Sequence, residues 1–360
     1  MNDRLMRFLP AAGLRIVPLI TTVLLVMATG TVASAASVEV VASGLANPRG
    51  IAVGPAGRLL IAEAGSGAPM TGHITELYRG RLRRWLNLPS TLVQGGTDVS
   101  GPTSVASFGG LGGMVITMGG GPGSPFGMML GGNPGHAMFL ADITGFELAN
   151  NPDGVIPPDS NPYSVAIVDA RSVLVADAAA NDLLFVSGDG SIELVAVFPA
   201  SPNVLFPSVG GPTVQAVPTS VTVGPDGAWY VGELRGFPFS NGSHIWRIEP
   251  GTRGAYCVIG ATSGPCTDWA SGLRHVVSIA FGPDGNLYAS QFGPGPGPGF
   301  LPGWAIPGSV MRVDAFTKSV TTVYSGLTAP GGIAIDGHGD IYVTNQSTSA
   351  TAGEIWRVAP

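Results

Sequence analysis

The chain has 360 residues, of which 55 are Gly and 31 Pro, and its formal net charge is −6. Hydrophobic residues make up 45% and charged residues only 11%, against about 25% charged in an average globular protein. That balance excludes a disordered chain, the density of helix breakers excludes a helical bundle, and a single lysine, Lys318, in an acidic chain argues against a nucleic-acid surface.

The N-terminus reads as an export signal. Arg4, Arg7 and Arg15 precede an apolar run over residues 16–28, and Ala33-Ser34-Ala35 supplies small residues for cleavage after Ala35 or Ala36. An uncleaved anchor would need about 20 apolar residues, and Pro18 and Gly30 shorten the run. Residues 1–36 are therefore expected to be a signal peptide of the general secretory route. Residues 37–360 are then a single exported domain, secreted or periplasmic, with no membrane span after cleavage. We expect it to be a monomer.

A repeat of about 56 residues organises the remainder. Its openings are Pro48-Arg49-Gly50-Ile51, Pro102-Thr103-Ser104-Val105, Pro162-Tyr163-Ser164-Val165, Pro218-Thr219-Ser220-Val221, Val276-Val277-Ser278-Ile279 and Pro330-Gly331-Gly332-Ile333. Each predicts a short strand, a turn and a second strand. The turns Gly224-Pro225-Asp226-Gly227 and Gly282-Pro283-Asp284-Gly285 carry the chemistry of tight hairpins: Pro presets one dihedral and the final Gly takes a positive φ. A further hairpin follows in each copy, so each copy predicts four strands, the content of a propeller blade. The arginines Arg79, Arg81, Arg83 and Arg84 fall in one such hairpin and read as a solvated edge strand, where charge also blocks edge-to-edge pairing. Residues 37–45 match residues 319–327, the expected last strand of the fifth copy, and the chain ends just after a third strand at Glu354-Ile355-Trp356. The fold class is thus all-β, a six-bladed β-propeller with four-stranded blades, its ring closed by the N-terminal strand completing the C-terminal blade. Gly-rich stretches at residues 109–135 and 293–299 read as loops on one rim.

Cys257 and Cys266 lie nine positions apart in one loop, which in an oxidising compartment predicts a local disulfide. Twelve residues after each Ile/Val anchor stand Glu63, Thr117, Asp177, Glu233, Gln291 and Asn345, all polar. Sixfold geometry would arrange them in a ring on one face. Such a ring could bind a ligand, or hold Ca²⁺ through Glu63, Asp177 and Glu233, or cap each blade by accepting loop amides. Among five histidines, only His275, just before an innermost strand, is placed to point into the channel as a general base.

The segments Asn150-Asn151-Pro152-Asp153-Gly154, Gly232-Glu233-Leu234-Arg235-Gly236-Phe237-Pro238-Phe239 and Thr344-Asn345-Gln346-Ser347 resemble the ScyD/ScyE family of exported bacterial propellers. The Gly-Pro-Asp-Gly turns are similar to those of NHL-type propellers at large. A broader resemblance is to gluconolactonase-like six-bladed propellers, which implies lactone hydrolysis with a channel Ca²⁺ bound just before the innermost strands. The corresponding positions are Arg49, Thr103, Tyr163, Thr219, Val277 and Gly331, none a carboxylate or amide. The sequence therefore favours an exported scaffold that binds a protein or small ligand over its loop-rich rim. A Ca²⁺-dependent hydrolase or lyase at the channel mouth is the alternative.

Overall fold

The computed structural model describes residues 37–96, 98–108, 113–120, 124–204, 207–208, 211–236, 242–294 and 307–359. The expected signal peptide lies outside them. They form six blades around a central channel. Blade 1 runs Pro48–Val53, Leu59–Glu63, Gly72–Tyr78 and Arg81–Leu88, from the channel outwards. Blades 2 to 5 open with Pro102–Ser107, Pro162–Asp169, Pro218–Val223 and Val276–Phe281. Blade 6 consists of Ile333–Ile335, Ile341–Asn345 and Gly353–Ala359, and Ser37–Leu45 pairs antiparallel with the last of these as its fourth strand. The two ends of the chain thus complete one sheet, with the C-terminal strand paired on both sides and the N-terminal strand on its outer edge.

The repeated residues explain why the blades form and how they meet. In blade 4, Gly227 takes φ +79° and Asp226 accepts hydrogen bonds from the Ala228 amide, the Tyr230 hydroxyl and Arg247 Nε, tying the turn to the second and third strands. Asp284 does the same in blade 5 with Asn286, Tyr288 and Arg312. The Pro-Thr-Ser-Val openings stitch neighbouring blades. Thr103 Oγ1 donates to Pro162 O (2.9 Å) and Thr219 Oγ1 to Val276 O (2.8 Å). Ser164 and Ser220 accept from the Val221 and Ile279 amides of the next blade. At the seam the third opening position is Gly, and it has to be. A Cβ on Gly50 would stand 2.6 Å from Thr103 O, and one on Gly332 2.8 Å from the Ile51 nitrogen. Between blades, apolar faces pack into contiguous clusters, such as Leu174, Trp229, Val231 and Trp246 between blades 3 and 4.

Four features depart from the sequence expectation. Residues 109–135 are not one rim loop: Met114–Met118 and Met128–Asn133 within them are the second and third strands of blade 2. A helix, α1 (Ile143–Asn150), follows that blade, capped by Asp142, which accepts from the Gly145 amide (2.8 Å). Two small hairpins, Thr91–Val93 with Asp98–Ser100 and Ser201–Pro202 with Thr213–Val214, rise between blades. Ala255–Tyr256 adds a short parallel strand to the outer edge of blade 3. Of the second Gly-rich stretch, Gly293 and Pro294 end a blade 5 strand and the rest lies outside the described residues. The disulfide Cys257–Cys266 is present, with Cα atoms 5.4 Å apart. Among the described residues no helix is long and apolar enough to cross a membrane.

Candidate functional site

The six ring residues are all buried at the ends of their second strands, and each is committed to holding its blade together. Glu63 accepts from the Ala46 amide (2.7 Å) and the Thr75 hydroxyl. Thr117 bonds Thr103 (2.9 Å), Gln291 accepts from Ser309 (3.2 Å), and Asn345 accepts from the Thr328 amide (2.7 Å) while donating to Glu354. Asp177 takes four donors: the Ser160 hydroxyl and the amides of Asn161, Ala179 and Ala180. Glu233 accepts from Trp246 Nε1 and the His244 amide. Burial pushes the Glu233 carboxyl up to about 7, against the pull of Trp246, His244 and Arg235.

These bonds match the capping role, not a metal centre. Glu63, Asp177 and Glu233 belong to three blades, and their oxygens already receive donors. Among the described residues no three His, Cys, Asp or Glu side chains are grouped to hold a metal ion. The positions just before the innermost strands offer a guanidinium, two threonines, a tyrosine, a valine and a glycine, a donor set that does not fit Ca²⁺.

His275 is not among the residues that line the innermost channel wall. It is buried in a left-handed turn (φ +46°), outside the channel wall lined by Ser104, Ser164, Ser220 and Ser278. Burial, then the neighbouring Arg274, lower its pKa to about 4, so the ring is neutral at physiological pH.

A different site emerges at the mouth of the channel. Arg49, from the opening of blade 1, lines a cavity of about 250 Å³ together with Asp98, Thr103, Asp159 and Asn161. Its Nη2 donates to Asp98 Oδ1 (2.7 Å) and to Val99 O (3.1 Å), while its buried Nε–H has no acceptor among the described residues. Burial would lower the Arg49 pKa, but Tyr163 and Asp98 raise it, so the guanidinium stays charged. The ring residues support this mouth from beneath. Asp177 fixes the amides of Asn161 and Ala179, which line the cavity wall, and Thr117 holds Thr103. Two acidic groups face one cation, so the cavity disfavours an anionic ligand. Its donors and acceptors suit neutral hydroxyl groups. Sequence reading found Arg49 only as a residue that could not bind calcium. Asp98 was missed because it comes from an inserted hairpin that the repeat does not contain.

No family model matches the chain, and no curated protein matches it. Solved structures do. A glucose dehydrogenase superposes with a TM-score of 0.57 at 12% identity, over 90% of this chain and 99% of that one. The soluble aldose sugar dehydrogenase of Escherichia coli gives 0.55 at 14% over the same shares. A protein provisionally assigned as a gluconolactonase gives 0.52 at 12%, over 91% and 92%. Likenesses at this identity establish the six-bladed propeller fold.

Proposed function

We propose that this chain is an exported propeller of ScyD/ScyE type that binds a neutral, hydroxyl-rich small molecule at its channel mouth. The carrying observation is the Arg49 guanidinium, clamped by Asp98 in the wall of a cavity that also holds Asp159 and Asn161. Several propellers of this shape are named for sugars, which is consistent with this ligand class but does not carry it. Hydrolysis through Ca²⁺ is the weaker reading because the oxygen ligands it needs do not converge.

A sugar of about 12 non-hydrogen atoms at ~0.3 kcal/mol each predicts a dissociation constant near ~1 mM. Titration calorimetry of the full chain with D-glucose, D-galactose and D-mannose should find at least one such binder. Arg49→Met should weaken it by about tenfold or more while the thermal melt shows the fold intact. No binding by any of the three, or binding indifferent to Arg49→Met, would sink the proposal.

A further inference from the structure

A second cavity, of about 590 Å³, adjoins the first and shares four residues with it: Asp159, Ala178, Ala179 and Val217. Its far wall is Val155, Ile156, Pro157 and Pro158. Ile156 is 85% exposed and Val155 36%. Single exposed apolar side chains are ordinary on a protein surface. This one is different in being held out by a loop fixed along its length. Val155 N donates to Asp153 Oδ1 (2.9 Å), Asn181 Nδ2 donates to Asp153 Oδ2 (2.8 Å), and the Tyr256 hydroxyl donates to Pro152 O (3.3 Å). Asn181 is itself held by the Val217 amide (3.1 Å). Two consecutive prolines then lock the backbone after Ile156. An apolar wall fixed in this way loses little entropy when it meets a ligand.

The geometry points to an amphipathic ligand: a neutral hydroxylated head at Arg49, and an apolar tail laid along Ile156 in the adjoining groove. The inference rests on the channel-mouth reading and extends it to the class of ligand. Charge decides the head. Asp98 lines the first cavity and Asp159 lines both, so an anionic head is repelled and a neutral one is not. Continuity decides the tail, because Asp159, Ala178, Ala179 and Val217 form the floor common to both spaces.

Calorimetry of the full chain with n-octyl-β-D-glucopyranoside, kept below its micelle concentration, tests this against D-glucose (head alone) and octanoate (tail with a charged head). Burying the tail predicts octyl glucoside binding at least about tenfold tighter than glucose, with octanoate far weaker than either. Ile156→Ser should collapse the ratio of octyl glucoside to glucose affinity towards one. Because the side chain is exposed, the thermal melt of that variant should stay in place. Glucose bound through Arg49 with no gain for octyl glucoside would overturn the tail site alone. Octyl glucoside binding untouched by Arg49→Met would overturn the head-group reading. Octanoate binding as tightly as octyl glucoside, or a ratio indifferent to Ile156→Ser, would overturn the amphiphile.

Discussion

Replacing Glu147 should remove a pH-dependent component of stability. Glu147, on α1, is 1% exposed, and Asp182, which opens the third strand of blade 3, is 0% exposed. Among the described residues neither Asp182 oxygen has a donor, nor does Glu147 Oε1, yet the two carboxyls lie within hydrogen-bonding reach of each other. Two acceptors can pair only through a proton. Burial, then the charge of Asp177, push Glu147 up to about 8 despite the favourable contact with Asp182, and Asp153 adds to the rise. Burial and Glu147 raise Asp182 well above its ordinary range. Asp177 and Asp153, the charges that act most strongly on the pair, are both acidic, so protonation relieves it.

The sign follows from linkage. The folded-state pKa lies above the unfolded value of 4.5, so between pH 4.5 and about 8 the native state holds a proton that the unfolded chain releases. The stabilisation is full below 4.5 and is lost as pH rises through 8, at about 1.4 kcal/mol per unit, or about 5 kcal/mol at most. For a domain of this size that is a fall in melting temperature of about 5–10 °C. Glu233, held near 7, adds a slope of the same sign, so the informative quantity is wild type minus variant. Glu147→Gln keeps a donor towards Asp182 without a titrating group. Circular-dichroism melts every half unit from pH 5 to 9 should show the variant with a distinctly shallower slope, and more stable than wild type at pH 8. Parallel slopes would refute the shared proton. So would a wild-type melt at pH 8 that millimolar Ca²⁺ restores, because a cation would then stand where the proton was placed.

Two further outcomes are expected. Cys257→Ser paired with Cys266→Ser should cost about 2–3 kcal/mol in urea unfolding, the chain-entropy value for so short a loop; a cost near zero would mean that the loop is already fixed by Asp268, which accepts from the Gly260 amide (2.9 Å). Millimolar EDTA should leave the melt within about 1 °C at pH 6, since the ring carboxylates are satisfied by protein donors; a drop of several degrees reversed by Ca²⁺ would reinstate a structural metal.

The propeller was legible because its signals repeat. The proline openings and the Gly-Pro-Asp-Gly turns recur in register, and the match between residues 37–45 and 319–327 revealed how the ring closes. What failed to repeat was invisible. Helix α1 has only eight residues, with Gly145 inside it, and no neighbouring copy contains one. Gly131 and Gly132 made a strand look like a loop, although the strand is held by its partners Val115 and Met114 rather than by its own propensity. The polar ring was found correctly as a periodic feature, but periodicity cannot distinguish a ligand from a cap. That distinction needs the donors, and these come partly from third strands (Thr75, His244, Trp246, Ser309) and partly from turns before the openings (Ala46, Ser160, Asn161, Thr328). Arg49 was visible as the one charged residue among the second opening positions, while its partner Asp98 lay in an insertion.

Charge is scarce in this chain, and the buried charges divide by how they are satisfied. Asp177 receives four donors and Glu63 two, so their role is complete within the fold. His244 forms a second closed unit. Burial would lower its pKa, but Asp268 at 2.9 Å and then Glu233 raise it, and its bond lowers the pKa of Asp268 in return. Among the described residues Asp182 and Glu147 Oε1 have no donor, so a proton between the two carboxyls satisfies them. Arg49 fits none of these classes. Its charge is matched by Asp98, and its Nε–H, like Trp85 Nε1 and Thr344 Oγ1, has no acceptor among the described residues. Of these three residues Arg49 alone lines the cavity that holds Asp98, Asp159 and Asn161. A charged group placed there is the first to test against whatever enters the channel mouth.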